Sequence, residues 1–189
     1  MIQTIFQTSI YKTKLVNQKL TNDIYNLLKT SEFREESNIG GKQTTKFDAL
    51  VNKELSQAVL QETAKYIDHF NKLKNFKITI NGFWINTNDK YHYNKEHMHF
   101  NTENKLSGIW YVNCNADSGN IIFRGREELI APSQLNTYFK SSHFLNVFEM
   151  TPEKNDLLIF PSYLVHSVSP NISDLTRVSV AFDIGFIDV

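Results

Sequence analysis

Residues 156–186, DLLIFPSYLVHSVSPNISDLTRVSVAFDIGF, decide the class of fold. Three short runs at 156–161, 164–169 and 177–186 are rich in aliphatic, β-branched and aromatic residues, and turn-forming residues separate them. Runs of this length and composition are typical of β-strands. Because the connections between them are short, the strands follow one another without helices. This order favours an antiparallel sandwich or barrel.

The same pattern extends back towards residue 76. Four further runs have the composition of strands, namely 76–86, 105–113, 119–125 and 145–151. About seven short strands therefore occupy the second part of the chain. We expect the segment 131–144 to form a loop over the mouth of the barrel.

The first part of the chain has a different periodicity. Residues 2–10 alternate and predict a first strand, whereas apolar residues recur at helical spacing over 15–28 and 52–73. The sequence thus predicts a mainly β protein with N-terminal helices. We expect one domain over 1–189, in which residues 1–75 support a β core formed by 76–189.

Composition narrows the class of protein. Of the 189 residues, 41% are hydrophobic, so a folded core is expected. The 20 basic residues balance 20 acidic ones, so the chain as a whole has no electrostatic attraction to nucleic acid. The single cysteine, Cys114, excludes a disulfide framework and a cysteine-rich zinc site. Neither a signal peptide nor a long apolar span is evident. These features predict a soluble, cytoplasmic protein with no membrane partner.

Two histidines, His97 and His99, form the first candidate metal motif. In an extended segment, residues i and i+2 point to the same side, so both imidazoles can reach one ion. The alternative is a pair of solvent-facing histidines beside a loop. His166 lies within a later apolar strand, where it is placed to point into a barrel and to complete a three-histidine site. Its alternative role is a buried histidine bonded to a backbone carbonyl.

Arg177 and Ser179 form a candidate anion site. They share one side of the last strand, and a guanidinium group beside a hydroxyl is a good receptor for a carboxylate. The alternative is an arginine paired at the surface. In the alternating run 107–113, Tyr111 and Asn113 share a side, and either is a candidate to bond a small acid inside the barrel. The alternative for the residues of this run is ordinary packing in the core.

Taken in order, these motifs resemble a known superfamily. The series H-x-H, LSGIWYVN, SGNIIF, DLLIFPSYLVHSVSPN and TRVSVAFDI is similar to that of the 2-oxoglutarate/Fe(II)-dependent oxygenases. Within them it most resembles a group of bacterial and phage members that have H-x-H where relatives have H-x-D or H-x-E. The resemblance extends over about residues 1–186 and is strongest from 84 to 183. It implies a double-stranded β-helix, or jelly roll.

The resemblance also implies roles for individual residues. His97 and His166 would bind Fe(II), and His99 would take the position of the usual carboxylate ligand. Arg177, helped by Ser179, would bind the distal carboxylate of 2-oxoglutarate. Such enzymes couple decarboxylation of 2-oxoglutarate to activation of O2, and they usually hydroxylate a C–H bond with release of succinate and CO2. No catalytic residue beyond the metal ligands is implied, and the prime substrate is open among proteins, nucleotides and metabolites.

One departure from the usual motif leaves alternatives open. The common facial triad holds one carboxylate, which is absent here if His99 is the ligand. Glu96 and Glu103 are nearby carboxylates, and Glu103 would replace His99 if a loop folded back. The pattern His97-x-His99-x-x-x-Glu103 also matches the first motif of cupins, which share the jelly roll. Arg177 has no role in a cupin, and the expected cupin glycines are missing. A jelly-roll binding module without metal is the remaining alternative.

Overall fold

The helices begin where the sequence supplies a capping side chain. The side chain of Asn17 accepts a hydrogen bond from the backbone N–H of Leu20 (3.0 Å), and that of Asn52 does the same for Leu55 (2.9 Å). Asparagine is among the preferred residues at this position because it satisfies a free N–H of the first turn. The helices that follow are α1 (Gln18–Thr30) and α2 (Lys53–Ile67).

The computed structural model describes residues 8–48, 51–125 and 147–189. In these ranges the remaining regular elements are strands. They are β1 (Tyr11–Lys14), β2 (Phe33–Arg34), β3 (Asn38–Ile39), β4 (Lys42–Thr44), β5 (Phe76–Asn88), β6 (Tyr93–His97), β7 (Leu106–Asn113), β8 (Ile121–Arg124), β9 (Val147–Met150), β10 (Asp156–Pro161), β11 (Val165–Val168) and β12 (Arg177–Asp188).

The strands form two antiparallel sheets. The major sheet has the order β1-β10-β7-β12-β5-β4-β2, and the minor sheet has the order β3-β6-β11-β8-β9. Consecutive strands β10, β11 and β12 alternate between the two sheets, which is the arrangement of a jelly roll. The prediction of a mainly β jelly roll with N-terminal helices is confirmed.

The strand β12 shows why the two sides of the major sheet differ. Its apolar side chains Val178, Val180, Phe182 and Ile184 belong to a buried cluster that also contains Leu20, Ile24, Leu55 and Val59 of the helices. The helices therefore cover the outer side of the major sheet. The alternate residues of β12 point to the inner side, where they face the minor sheet. Polar residues on this inner side form the candidate site.

Three predictions about the elements need comment. The first strand among the described residues is Tyr11–Lys14. Of the predicted strand 2–10, residues 2–7 lie outside the described residues, and residues 8–10 are not part of a strand. The second helix ends at Ile67, earlier than the predicted residue 73. The predicted loop 131–144 also lies outside the described residues. Among the described helices, none has the length and hydropathy needed to cross a membrane.

Candidate metal centre and the adjoining cavity

Three histidines meet on the inner side of the minor sheet. His97 on β6 and His166 on β11 are directly opposite each other in the antiparallel register, and their ring centroids are 4.3 Å apart. His99 lies two residues beyond the end of β6, where its backbone N–H donates to the carbonyl of Ser162 (3.0 Å). One ligand atom from each ring lies within 4.8 Å of the other two. Three imidazoles this close are a suitable ligand set for one transition-metal ion.

Backbone carbonyls fix two of these rings. The Nδ1 atom of His97 is 2.7 Å from the carbonyl oxygen of Lys95, and that of His166 is 2.9 Å from the carbonyl oxygen of Leu164. Because a carbonyl can only accept, each Nδ1 carries the proton and each Nε2 retains a free lone pair. Metal-binding histidines commonly use their second nitrogen in this way.

Burial keeps the three imidazoles neutral. Desolvation lowers the pKa of His166 to about 3 and that of His99 to about 3, and it also lowers the pKa of His97. The ring of Phe160 lies 5.0 Å from that of His166 and contributes to this apolar environment. A neutral imidazole is the form that binds a metal ion. The site therefore holds its ligands in the binding form at neutral pH.

Arg177, at the start of β12 in the major sheet, is a buried cation. It is 1% exposed, and its two amino groups donate to the carbonyl of Ser118 (2.7 Å) and to Oδ1 of Asn94 (3.2 Å). Both acceptors are neutral. This burial lowers the pKa of Arg177 from its ordinary value. A buried charge with only neutral partners is costly and is an available receptor for an anion.

A polar row crosses the inner side of the major sheet. Tyr111 on β7 is opposite Ser179 on β12, Ser179 is opposite Asn86 on β5, and Asn86 is opposite Gln43 on β4. All four side chains are buried. The hydroxyl of Tyr111 and Oδ1 of Asn86 have no hydrogen-bond partner among the described residues. Unpaired buried polar atoms of this kind indicate a missing ligand or water.

A cavity of about 580 Å³ between the sheets connects these groups. It is lined by His97, His99, His166, Arg177, Ser179, Tyr111, Asn86, Gln43, Asn94, Trp84, Lys46, Arg34, Glu36, Lys95 and Glu96, together with several smaller or apolar residues. Its volume is within the range of sites that bind small molecules. The cavity is therefore large enough for a small acid and part of a second molecule.

The structure brings together six of the seven residues predicted from the sequence. His97, His99 and His166 form the cluster, and Arg177, Ser179 and Tyr111 line the cavity beside it.

Asn113 is the exception and requires a correction. A register shift between β7 and β12 pairs Ser179 with Tyr111 but Val178 with Asn113. Val178 belongs to the outer core, so this bulge turns Asn113 away from the cavity. Its side-chain amide donates to the carbonyl of Thr176 (3.1 Å). Strict alternation along β7 predicted the wrong side for this residue.

Neither alternative carboxylate joins the histidines. Glu103 is exposed and lies outside the three-histidine cluster, and Glu96 pairs with Arg124 at 2.5 Å. The hypothesis that Glu103 replaces His99 therefore has no geometric support. The cupin alternative, which used Glu103, loses the same support.

Several residues of the site were not identified from the sequence. Gln43, Asn86 and Asn94 are short polar residues in strands, and nothing in their local pattern separates them from ordinary surface positions. Asp183 is different, because it follows Arg177 and Ser179 on the same side of β12 at a period of two. The alternation that grouped Arg177 with Ser179 also places Asp183 inside.

The sequence matches a family model described as "Putative 2OG-Fe(II) oxygenase" over residues 82–183. This range includes the three histidines, Arg177 and all of the polar row except Gln43. No curated protein matches the chain.

Solved structures share the fold at low sequence identity. HygX from Streptomyces hygroscopicus, with nickel and 2-oxoglutarate bound, is 10% identical, with a TM-score of 0.62 over 94% of this chain and 83% of its own. The non-heme α-ketoglutarate-dependent epimerase SnoN from nogalamycin biosynthesis is 13% identical, with a TM-score of 0.64 over 96% and 79%. A Pseudomonas putida prolyl-4-hydroxylase is 14% identical, with a TM-score of 0.61 over 96% and 94%.

Proposed function

The chain belongs to the 2OG-Fe(II) oxygenase family, and on that premise we propose which of its residues hold the metal ion and the cosubstrate. His97, His99 and His166 bind Fe(II). Arg177, with Ser179 and Tyr111, binds the distal carboxylate of 2-oxoglutarate. The single observation that carries the proposal is the combination, in one cavity, of three converging neutral imidazoles with a buried arginine that has only neutral partners.

The donor set fits the metal. Imidazole is a suitable ligand for iron, and each of these rings is neutral because burial lowers its pKa. His97 and His166 lie opposite each other on neighbouring strands, so their separation is fixed by the ladder of the minor sheet. Such a scaffold limits the rearrangement that metal binding requires.

The anion site fits a small dicarboxylate. Arg177 is 1% exposed, and its hydrogen-bond acceptors among the described residues are a backbone carbonyl and an amide oxygen, neither of which carries a charge. A bound carboxylate would supply the missing negative charge. Ser179 and Tyr111 are opposite each other beside it, and the unpaired hydroxyl of Tyr111 would gain an acceptor. The site therefore has both a charge and hydrogen-bond donors for one end of 2-oxoglutarate.

When bound, iron and 2-oxoglutarate supply the oxidising chemistry, in which 2-oxoglutarate and O2 become succinate and CO2 and one oxygen atom enters a C–H bond of the substrate. The chain provides ligands, orientation and exclusion of water. The rings of Phe123 and Phe160, 5.0 Å apart, pack beside His166 and keep water from that side of the cluster.

We place the prime substrate in the part of the cavity beyond Ser179. The polar row crosses four strands, so it extends over roughly 14 Å, and a five-carbon dicarboxylate held at Arg177 is shorter than this. Gln43 and Asn86 at the far end of the row are therefore left to contact another molecule. Arg34, Glu36 and Lys46 line the same cavity. A polar substrate suits these walls better than an apolar one.

Substrate-independent turnover tests the proposal. Purified protein with Fe(II), 2-oxoglutarate, ascorbate and O2 should form succinate slowly in the absence of a prime substrate. The reason is that oxygenases of this type convert 2-oxoglutarate to succinate at a low rate even when no substrate is hydroxylated. His97→Ala should abolish this succinate. His69→Ala is the matched control, since His69 is an exposed histidine whose Nδ1 contacts the carbonyl of Lys65. Equal succinate from the wild type and His97→Ala would overturn the proposal.

A further inference from the structure

Asp183 is a buried carboxylate on the inner side of β12. It is 1% exposed, and Oδ1 accepts a hydrogen bond from the hydroxyl of Ser107 (3.0 Å). Its other oxygen, Oδ2, lies 2.9 Å from Nζ of Lys46. Two partners on different strands and loops thus hold the carboxylate in a fixed position. Neither partner belongs to the three-histidine cluster.

The fixed carboxylate lies beside the third histidine. Nδ1 of His99 is 3.6 Å from Oδ1 of Asp183, which is longer than a hydrogen bond. Because the imidazole is neutral, the contact is between a carboxylate and the dipole of the ring. The ring of Trp84 lies 5.3 Å from that of His99 and restricts its position from another direction. A carboxylate beside one imidazole nitrogen favours the orientation in which the other nitrogen points towards the metal.

His99 differs from the other two histidines in this respect. His97 and His166 have their Nδ1 atoms beside neutral backbone carbonyls at 2.7 and 2.9 Å. The acceptor beside Nδ1 of His99 is charged and belongs to a side chain. A common iron site has two histidines and one carboxylate as ligands. Asp183 places a negative charge beside the three-histidine cluster without being part of it.

We propose that Asp183 is the positioning residue of the metal centre: it orients His99 and supplies from outside the ligand set the negative charge that a carboxylate ligand would contribute. This inference rests on the proposed function, because it assumes that the three histidines bind the ion. It adds that a carboxylate outside the three-histidine ligand set lies beside the ring of His99. Asp183 itself does not bind the metal.

Lys46 makes the inference testable in both directions. Its ammonium group pairs with Asp183 and lies 4.9 Å from the centroid of Trp84, so it lies close to the site but is partly exposed. If Asp183 acts on the metal through its charge, removing that charge weakens metal binding. Removing the opposing charge of Lys46 strengthens it. If Asp183 only forms a structural ion pair, the two substitutions change metal affinity in the same direction or not at all.

Metal titration of four proteins is the experiment. Wild type, Asp183→Asn, Lys46→Met and His99→Ala are titrated with Co(II) as a visible probe, in the absence of 2-oxoglutarate, and unfolding by urea is measured alongside. We expect Asp183→Asn to weaken Co(II) binding by about 10- to 100-fold, and Lys46→Met to strengthen it. The ligand-field spectrum of the bound Co(II) should indicate the same coordination number in wild type, Asp183→Asn and Lys46→Met.

Each other outcome has a defined meaning. Equal Co(II) affinity in wild type and both variants overturns the inference while leaving the three-histidine site intact. A loss in Asp183→Asn as complete as in His99→Ala, with a changed Co(II) spectrum, overturns it by making Asp183 a ligand. Absence of Co(II) binding in the wild type instead contradicts the proposed function. If Asp183→Asn does not fold, a weaker or unchanged affinity in Lys46→Met overturns the charge argument by itself.

Discussion

His97 and His166 are register partners on two neighbouring antiparallel strands, and their rings lie 4.3 Å apart at the end of that ladder. The distance between two of the three candidate ligands is therefore set by backbone hydrogen bonds and not by loop packing. On the opposite sheet, Arg177 and Ser179 are fixed in the same way by their partners on β5 and β7. The three histidines and Arg177 line one cavity between the sheets.

Arg177→Met is expected to remove 2-oxoglutarate binding and to spare the metal. The substitution keeps much of the side-chain volume but removes the charge and all donors, and loss of one partner of a buried charge pair costs about 2 kcal/mol or more, equivalent to roughly a 30-fold loss of affinity. Calorimetry of the metal-loaded protein measures the change. The Co(II) affinity of the same variant is the control. Retained 2-oxoglutarate affinity would place the carboxylate elsewhere.

Tyr111→Phe should have opposite effects on stability and on ligand binding. The hydroxyl of Tyr111 is buried and unpaired among the described residues, so its removal should stabilise the ligand-free protein by about 1 kcal/mol. The same removal should weaken 2-oxoglutarate binding by about tenfold, because a hydrogen bond to a charged carboxylate is lost. Urea unfolding and calorimetry give the two numbers. A less stable variant with unchanged ligand affinity would show a purely structural hydroxyl.

Gly119→Ala tests whether the close packing of Gly119 against Arg177 keeps the guanidinium group in position to bind 2-oxoglutarate. Gly119 has φ +93°, a conformation that other residues rarely adopt, and an added Cβ would lie 2.2 Å from the carbonyl oxygen of Ser169 and 2.8 Å from Nη1 of Arg177. We expect this variant to lose about 1–3 kcal/mol of stability from the backbone and to bind 2-oxoglutarate more weakly because the guanidinium is displaced. Asp117→Ala, an exposed side chain of the same turn, is the control. Wild-type affinity in Gly119→Ala would disprove the link.

The stability of the metal-free protein should fall as the pH is lowered from about 6.5 towards 3. Burial lowers the pKa of His166 to about 3, whereas an unfolded histidine titrates near 6.5. Over this window the unfolded state binds the extra proton, so acid favours unfolding. At about pH 5 the loss from His166 is about 2 kcal/mol relative to about pH 7.5.

Urea unfolding of wild type and His166→Gln at the two pH values measures this contribution. Glutamine does not titrate, so the variant should show a smaller loss of unfolding free energy between neutral and acidic pH. An identical pH dependence in both proteins would mean that His166 titrates normally in the folded state.

Alternation in the sequence predicted most of the fold because the strands have one apolar and one polar side. The run 177–186 is an example: its apolar residues pack on the helices and its polar residues face the cavity. The short strands β2, β3, β4 and β6 were not predicted. β2, β3 and β4 have two or three residues, too few to show a period, and β6 (YNKEH) has no apolar run. Their pairing is set by the longer strands beside them.

The candidate site was predictable where residue chemistry and spacing coincide. Histidines at i and i+2, or an arginine followed by a serine on one side of a strand, have a restricted set of uses. Asn113 was misplaced because a bulge in β7 cannot be seen in a sequence that alternates on both sides of it. Gln43 reaches the cavity only through pairing between distant strands, which no local pattern encodes.

Anaerobic titration of the protein with Fe(II) and 2-oxoglutarate tests the central claim most directly. The proposed site predicts a visible charge-transfer band that saturates at one Fe(II) and one 2-oxoglutarate per chain, is absent in His166→Ala, and requires far more 2-oxoglutarate in Arg177→Met. Fe(II)-loaded wild-type protein that shows no such band at saturating 2-oxoglutarate would contradict it.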